Sequence, residues 1–577
     1  MPNSLQTQSH TGAAIVRKKL PSFSFWFLTA SVLLYSGVLV VGTLRPYVHL
    51  DIVLLLLQYL LLLPAVLVYL RRQQNDVQAV GSMPAVNLRV IAACFALLAF
   101  PLSWLSVRGL LNPDESCYSF QARIYRSGRI MADPLIGATS DVTKTPAELL
   151  YTNHVLRPNG WFPKYPPGWP LVLSLGYLIS ARWVLTSIFG LGQLFVIAAC
   201  GSRCFSREAG AAAALFAALS PFYLVNSIGV MSHALCALLG ATACLALFSG
   251  LATGSLWYYA GMFACLSATL QVRPYTGFVL ALMLTGAALW LNRQNRPVLV
   301  RIFLIGVFFG AAAVAGVLVY NQIYSGHWFV SPYAMSHGTN IPPELSFRPM
   351  KIWQGMRNYG WMAVEGGLIG ASPFAYLLAA YAVLCERKRR KEVWILASLY
   401  LALVLAYLAH VGNYAVFFGE RFHFEAFFAL LLLAARGLQL VVERWRIPRS
   451  ALVWTVLLLV VMQVAQQAAV VETVARLGEP YRKVREALAV SGTSGLVLLH
   501  DAPGFVAQHF NLNDADWRHA NRIYLIDAEP DRRAQWACRY GVSNWTVVSY
   551  DAQSHRATFV DGTADCGLAP PAPTVRP

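Results

Sequence analysis

The chain has 577 residues, of which 57% are hydrophobic and only 12% charged, with a mean hydropathy of +0.51 and a formal net charge of +18. That balance excludes an ordinary soluble domain and places the chain in a bilayer. The basic excess does not indicate nucleic acid: Lys and Arg gather in short connectors such as "ERKRRKE" (386–392), "NRQNRPVLVR" (292–301) and "ERWRIPRS" (443–450), with no repeated basic-aromatic pattern.

The polar start, residues 1–24, carries Arg17, Lys18 and Lys19 ahead of an apolar stretch with no clear small-residue cleavage site, which reads as a cytoplasmic tail. From there, apolar runs long enough to cross about 30 Å of hydrocarbon predict about thirteen transmembrane helices. They fall near 25–44, 52–70, 88–107, 184–200, 209–226, 231–251, 256–271, 277–292, 302–320, 366–384, 393–411, 424–441 and 451–471. With the tail inside, the basic connectors at 71–72, 203–207, 292–301, 386–391 and 443–449 all face the cytoplasm, as the positive-inside bias requires. The segment "PPGWPLVLSLGYLIS" (166–180) is too short for a crossing and reads as a re-entrant or interfacial helix.

This threading makes 25–471 a transmembrane module, with outer loops at 108–167 and 321–365, and leaves 472–577 outside. The tail alternates "GLVLLH", "RIYLID" and "WTVVSY" with the helix-like "PDRRAQWACRYG", predicting a small extracytoplasmic α/β domain. It holds no GxGxxG or P-loop. Eight of the ten cysteines lie before residue 400, mostly in apolar runs, so that Cys538 and Cys566 are the pair open to a disulfide.

The first outer loop carries the chemistry. "PDESCYSFQARIY" (113–125) sets Asp114 and Glu115 at the lip of the bilayer, where a carboxylate must be hydrated, paired or used. The residues after them predict an interfacial helix, with Tyr118, Ala122 and Tyr125 on one side and Arg123, Arg126 and Arg129 snorkelling from another. The loop closes with "YTNHVLRPNGWFPKYPPGWPLVL", which brings His154, Arg157 and Lys164 toward the turn at Pro166-Pro167-Gly168.

These stretches resemble the membrane-embedded C-type (GT-C) glycosyltransferases, in particular the protein O-mannosyltransferase-like group that includes the lipid A aminoarabinose transferases. The resemblance rests on "NPDESCYSFQARIY" and "KYPPGWPLVL", and extends through "LFAALSPFYLVNSIGVMSHALCALLG", "QVRPYTGF", "NQIYSGHWFVSPY" and "GERFHFEAFFALLLLAARG", covering roughly 110–440. It implies a GT-C fold and an enzyme that takes sugar from a polyprenyl-phosphate donor outside the cytoplasm, in a cell inner membrane. Asp114 would match the catalytic acid-base position, Glu115 its neighbour and Lys164 a phosphate-contacting position. The chain departs from the pattern in three places: a tyrosine is inserted in "KYPP", His233 of "MSH" stands where many relatives have aspartate, and two extra N-terminal spans stand ahead of the Asp-Glu loop.

Chemistry alone points the same way. Nucleotide sugars are absent outside the membrane, whereas a lipid-phosphate sugar reaches a site that opens sideways into the bilayer. Its leaving phosphate needs cations, which Lys164, Arg273 and Arg421 could supply, while Asp114 takes the acceptor's proton if burial or Glu115 nudges its pKa upward. Arg421 could instead pair with Glu420 or Glu425. His154, Tyr118, His233 and Tyr333 are possible substrate-lining residues. Asp114 and Glu115 could hold a divalent metal ion, although two adjacent carboxylates are a weak metal signal. The partners expected are a polyprenyl-phosphate sugar donor, membrane lipids and a lipid, glycan or protein acceptor. A transporter or flippase for a lipid-linked sugar is the alternative; it calls for charges near span centres and internal repeats, neither of which is clear here.

Overall fold

A computed structural model describes residues 25–34, 63–73, 87–138, 144–336, 373–408 and 421–566. The tail 1–24, parts of the spans expected at 25–44, 52–70, 366–384 and 393–411, and residues 337–365 of the second outer loop lie outside the described residues.

The chain begins with α1 (Phe25–Leu34), α2 (Leu63–Gln73), α3 (Leu88–Arg108) and α4 (Pro113–Arg126), followed by a hairpin of β1 (His154–Arg157) and β2 (Gly160–Pro163). Next come α5 (Gly168–Leu178), α6 (Arg182–Cys204), α7 (Arg207–Leu219), α8 (Pro221–Ile228), α9 (His233–Thr253), α10 (Leu256–Val272), α11 (Pro274–Leu291) and α12 (Arg296–Ser325). The helical part ends with α13 (Pro332–Ser336), α14 (Pro373–Cys385), α15 (Arg390–Tyr407), α16 (Phe424–Trp445) and α17 (Arg449–Val490).

Each of the thirteen expected spans meets a helix in its described part. Among the described residues, seven helices are long and apolar enough to cross a bilayer, or eight crossings if α7 and α8 are one broken span. The single span expected at 209–226 is in fact bent by 70° between those two helices. Pro221 explains the break: it lacks the N–H that would continue α7, and with Ser220 as N-cap it starts α8 instead. Helix α5 has 11 residues, too short to span, as its sequence predicted.

After α17 the chain forms a four-stranded sheet of β3 (Gly495–Leu499), β4 (Arg522–Ile526), β5 (Asn544–Asp551) and β6 (Arg556–Thr563), with α18 (Arg533–Arg539) between β4 and β5. The order is β4-β3-β5-β6; β3 runs parallel to β4 and β5, and β6 is antiparallel to β5. Cys538 and Cys566 form a disulfide. Helix α17 spans 42 residues, about 63 Å at 1.5 Å per residue, roughly twice the hydrocarbon thickness, so residue 472 lies inside a continuous helix.

The sheet is welded to the first outer loop. Phe120, Ile124, Leu149, Tyr151 and Trp161 share one core with Val497, Phe505, Phe510, Leu525 and Trp536. This corrects the expectation of an interfacial helix after the acidic pair. Helix α4 is largely buried, Arg123 donates to the carbonyls of Asn511 and Asn513, and Arg129 pairs with Asp133 and Asp516, leaving Arg126 as the exposed member of the three. Arg123, and Arg129 beyond the end of α4, find carbonyls and carboxylates here rather than headgroups, because the connection between β3 and β4 covers that face.

Candidate functional site

The acidic pair stands where it does partly for a helical reason. Asn112 caps α4 by accepting from the Asp114 N–H, Pro113 fills the first helical position, and both carboxylates lie in the first turn, where the helix dipole favours negative charge. The adjacent side chains then diverge. Asp114 faces a polar cluster, and Glu115 faces backbone.

Asp114 Oδ1 accepts from the Tyr165 hydroxyl at 2.5 Å and from Asn153 Nδ2 at 2.9 Å, while Oδ2 lies 3.2 Å from Arg421 Nη2. Asn153 holds a left-handed backbone, φ 63°, a conformation that asparagine tolerates well. Tyr165 precedes Pro166, which keeps its backbone extended, and its ring packs against Tyr118, tilted by 34° with centroids 4.6 Å apart. Gly168 lets this turn press on the end of α10, since a Cβ there would meet the Gln271 carbonyl carbon at 2.7 Å.

The geometry corrects the expected titration of this pair. Burial alone would raise the Asp114 carboxyl, but Arg421, the Tyr165 hydroxyl and Lys164 outweigh it and hold it below its ordinary value. Glu115 moves the other way: burial pushes it up to about 7, against the backbone N–H groups of Leu111, Val230 and Asn112, with the Asp114 charge adding to the rise. Its oxygens accept from Leu111 N at 2.9 Å and from Val230 N at 2.8 Å, so Glu115 ties the loop's entry to the α8–α9 turn. A Cβ on Gly229 would fall 2.6 Å from Glu115 Oε1. Gly229→Ala is therefore expected to break this tie, lowering the melting temperature by about 1–2 °C for a destabilisation of about 1–3 kcal/mol. A thermal melt unchanged from wild type would show that the tie adapts.

The three expected cations converge on the same region. Arg273 and Arg421 lie 5.2 and 5.1 Å from the centre of one ring, Phe422, which itself stacks on Tyr407. Arg273 Nε is 3.1 Å from Glu425 Oε1, and its Nη1 donates to Ser232 Oγ, which also meets the Tyr118 hydroxyl at 3.2 Å. Lys164 is buried, with its ammonium 4.1 Å from the Tyr333 ring centre and 5.5 Å from that of Tyr165. The pairing expected of Arg421 with Glu420 or Glu425 is corrected in its second half: Glu425 belongs to Arg273, and Arg421 to Asp114. Glu420 lies outside the described residues. Among the described residues, Nε and Nη1 of Arg421 are buried without a hydrogen-bond partner.

The two histidines take supporting places. His233 is fully buried with Nδ1 2.7 Å from Glu425 Oε1, so it holds the counter-ion of Arg273. His154 is not brought to Asp114. Its Nδ1 donates to the Thr152 carbonyl and its Nε2 meets Asn511 Nδ2 at 3.1 Å, in the seam with the C-terminal sheet, where burial lowers its pKa to about 4 and keeps it neutral. Tyr118 and Tyr333 lie beside the cluster through Tyr165 and Lys164.

The acidic pair does not suit a divalent metal ion. Its carboxylates point to different partners, a guanidinium already sits on Asp114, and among the described residues no group of three or more His, Cys, Asp or Glu side chains could hold one.

Sequence reasoning missed Tyr165, Asn153, Ser232 and Phe422 as members of the cluster, and gave Glu425 only as a pair for Arg421. Glu425 carried a readable signal, a carboxylate opening a long apolar run, which is the same argument that singled out Asp114.

No family model matches the sequence, and no curated protein matches it either. In structure the chain is similar to glycosyltransferases of the C type. One is ArnT from Cupriavidus metallidurans bound to undecaprenyl phosphate, with a TM-score of 0.47 and 14% identity over 84% of this chain and 99% of that one. Another is the archaeal oligosaccharyltransferase AglB from Archaeoglobus fulgidus, in complex with an inhibitory peptide and a dolichol-phosphate, with a TM-score of 0.45 and 10% identity over 83% of this chain and 75% of that one. A third is the arabinosyltransferase EmbB from Mycobacterium smegmatis, with a TM-score of 0.33 and 15% identity over 76% of this chain and 46% of that one.

Proposed function

We propose that the protein is a glycosyltransferase that moves a sugar from a polyprenyl-phosphate donor to an acceptor hydroxyl, with its site on the extracytoplasmic side of the cytoplasmic membrane. The observation that carries this reading is Arg421: nearly buried, its guanidinium meets Asp114 through one nitrogen and keeps two others without a partner among the described residues. Buried donors of this kind call for an anion, and a guanidinium suits phosphate oxygens. The motif order along 110–440 and the basic connectors support the class and the orientation.

The chemistry follows from the two ends of that ion pair. Arg421, Arg273 and Lys164 hold the donor phosphate. The bond between sugar C1 and the phosphate oxygen breaks with its electron pair going to the phosphate, the acceptor oxygen bonds to C1, and its proton passes to Asp114. An arriving phosphate shares Arg421 with Asp114, which weakens the pull that keeps the carboxylate a poor base. Donor binding thereby readies Asp114 for the acceptor.

Lys164→Ala is expected to raise the donor KM by about 10- to 100-fold, the range of a lost hydrogen bond to a charged group, with a smaller change in kcat. Steady-state release of free polyprenyl phosphate at varied donor concentration measures this. An unchanged KM would remove Lys164 from the phosphate site.

A further inference from the structure

We infer that the Tyr165 phenol occupies the acceptor-hydroxyl position on Asp114 and sets the choice between acceptor and water. This rests on the transferase reading above.

Three groups meet the Asp114 carboxylate: the Arg421 guanidinium, the Asn153 amide and the Tyr165 hydroxyl. Of these, the phenol alone is an O–H donor, the class of group that an acceptor alcohol presents to a general base. Its 2.5 Å contact is the short hydrogen bond expected of a hydroxyl on a charged oxygen. The placement is built from several sides. Asn153 Nδ2 also reaches the phenol oxygen at 3.2 Å, the ring packs against Tyr118, and the Tyr165 carbonyl accepts from the Tyr320 hydroxyl at 2.8 Å. This is the tyrosine inserted between Lys164 and the Pro-Pro turn.

A carboxylate oxygen beside a bound donor would otherwise take a water. That water would give its proton to Asp114 and bond to sugar C1 as the C1–O bond to phosphate breaks, yielding free sugar and polyprenyl phosphate. The phenol cannot react in this way while its ring is held against Tyr118, so it excludes hydrolysis until a larger acceptor displaces it. Tyr165 is thus a specificity-determining residue acting through Asp114.

The test compares wild type, Tyr165→Phe and the Asp114→Asn/Tyr165→Phe double variant as full-length purified protein. The probe is a polyprenyl-phosphate sugar drawn from a panel of donors, supplied with water alone and then with a crude membrane extract as acceptor source. Tyr165→Phe keeps the ring and its packing against Tyr118, and a thermal melt checks the fold. Free sugar formed in water alone is expected to rise about 10-fold or more in Tyr165→Phe, the scale of one hydrogen bond to a charged group, and to fall to background in the double variant. Hydrolysis equal to or below wild type in a folded Tyr165→Phe protein overturns the assignment while leaving the transferase reading intact. No release by wild type from any donor, with extract present, overturns both.

Discussion

Asp114→Asn is expected to lower sugar transfer by about 10²- to 10⁴-fold, the usual contribution of a positioned general base, while the protein stays folded. The asparagine can still accept from Tyr165 and Asn153, so the loop keeps its shape, but it takes no proton and leaves Arg421 without its counter-charge. That second effect has a pH signature. The folded pKa of Asp114 is lowered, so the ion pair adds stability above the ordinary carboxylate value and loses it as pH falls through the lower folded value. The ion pair's share of the stability difference between wild type and Asp114→Asn is therefore expected to be full above about pH 5, to shrink as pH falls below the ordinary carboxylate value of about 4, and to vanish only below the lowered folded value. Release of polyprenyl phosphate measures the first effect and thermal melts across pH the second. Normal release by the folded variant would remove Asp114 from the chemistry, and a stability gap that persisted into acid would show that the pairing with Arg421 is not what Asp114 contributes.

The helices and the loop were legible in the sequence because the bilayer imposes length and because a carboxylate at its edge is costly. Partnership was not. Asp114 and Arg421 lie far apart in the chain, and nothing local distinguishes Arg421 meeting Asp114 from Arg421 meeting Glu425, four residues on. The role of Glu115 was hidden for a related reason. Adjacent residues on a helix point in directions about 100° apart, so an acidic pair in sequence is not a pair in space. Local signals did exist for the frame around the site: Asn112-Pro113 announces a helix start, which accounts for part of the pair's position without any chemistry. Tyr165 read as an interruption of a motif, and its contact with Asp114 depends on the hairpin that brings Asn153 and Lys164 side by side, a long-range fact.

The C-terminal sheet read as a separate small domain because its β and α rhythm is self-contained, yet it shares a core with part of the first loop. Trp161 and Phe120 are fully buried, and they are packed among residues that include Phe505 and Phe510 of the connection between β3 and β4. Polar ties cross the same seam: Asn511 N donates to Ser116 Oγ, the Tyr151 hydroxyl to the Tyr524 carbonyl, and Thr152 N to the Gln508 carbonyl. Residues 151 and 152 precede Asn153, and residue 116 lies two after Asp114, so the C-terminal domain steadies the loop that carries Asp114. Ending the chain at residue 490 would expose that core and leave the loop's buried amides and hydroxyls unpaired, at about 1–3 kcal/mol for each such group. Loss of the sheet is therefore expected to abolish both donor release and transfer to an acceptor, by more than the 10²- to 10⁴-fold of Asp114→Asn, because Asp114, the Tyr165 contact and the Lys164 turn are all displaced together. Polyprenyl phosphate release by the truncated protein, set beside wild type, decides it. Retained donor release with only acceptor transfer lost would mean that the loop keeps its shape alone and that the sheet serves the acceptor.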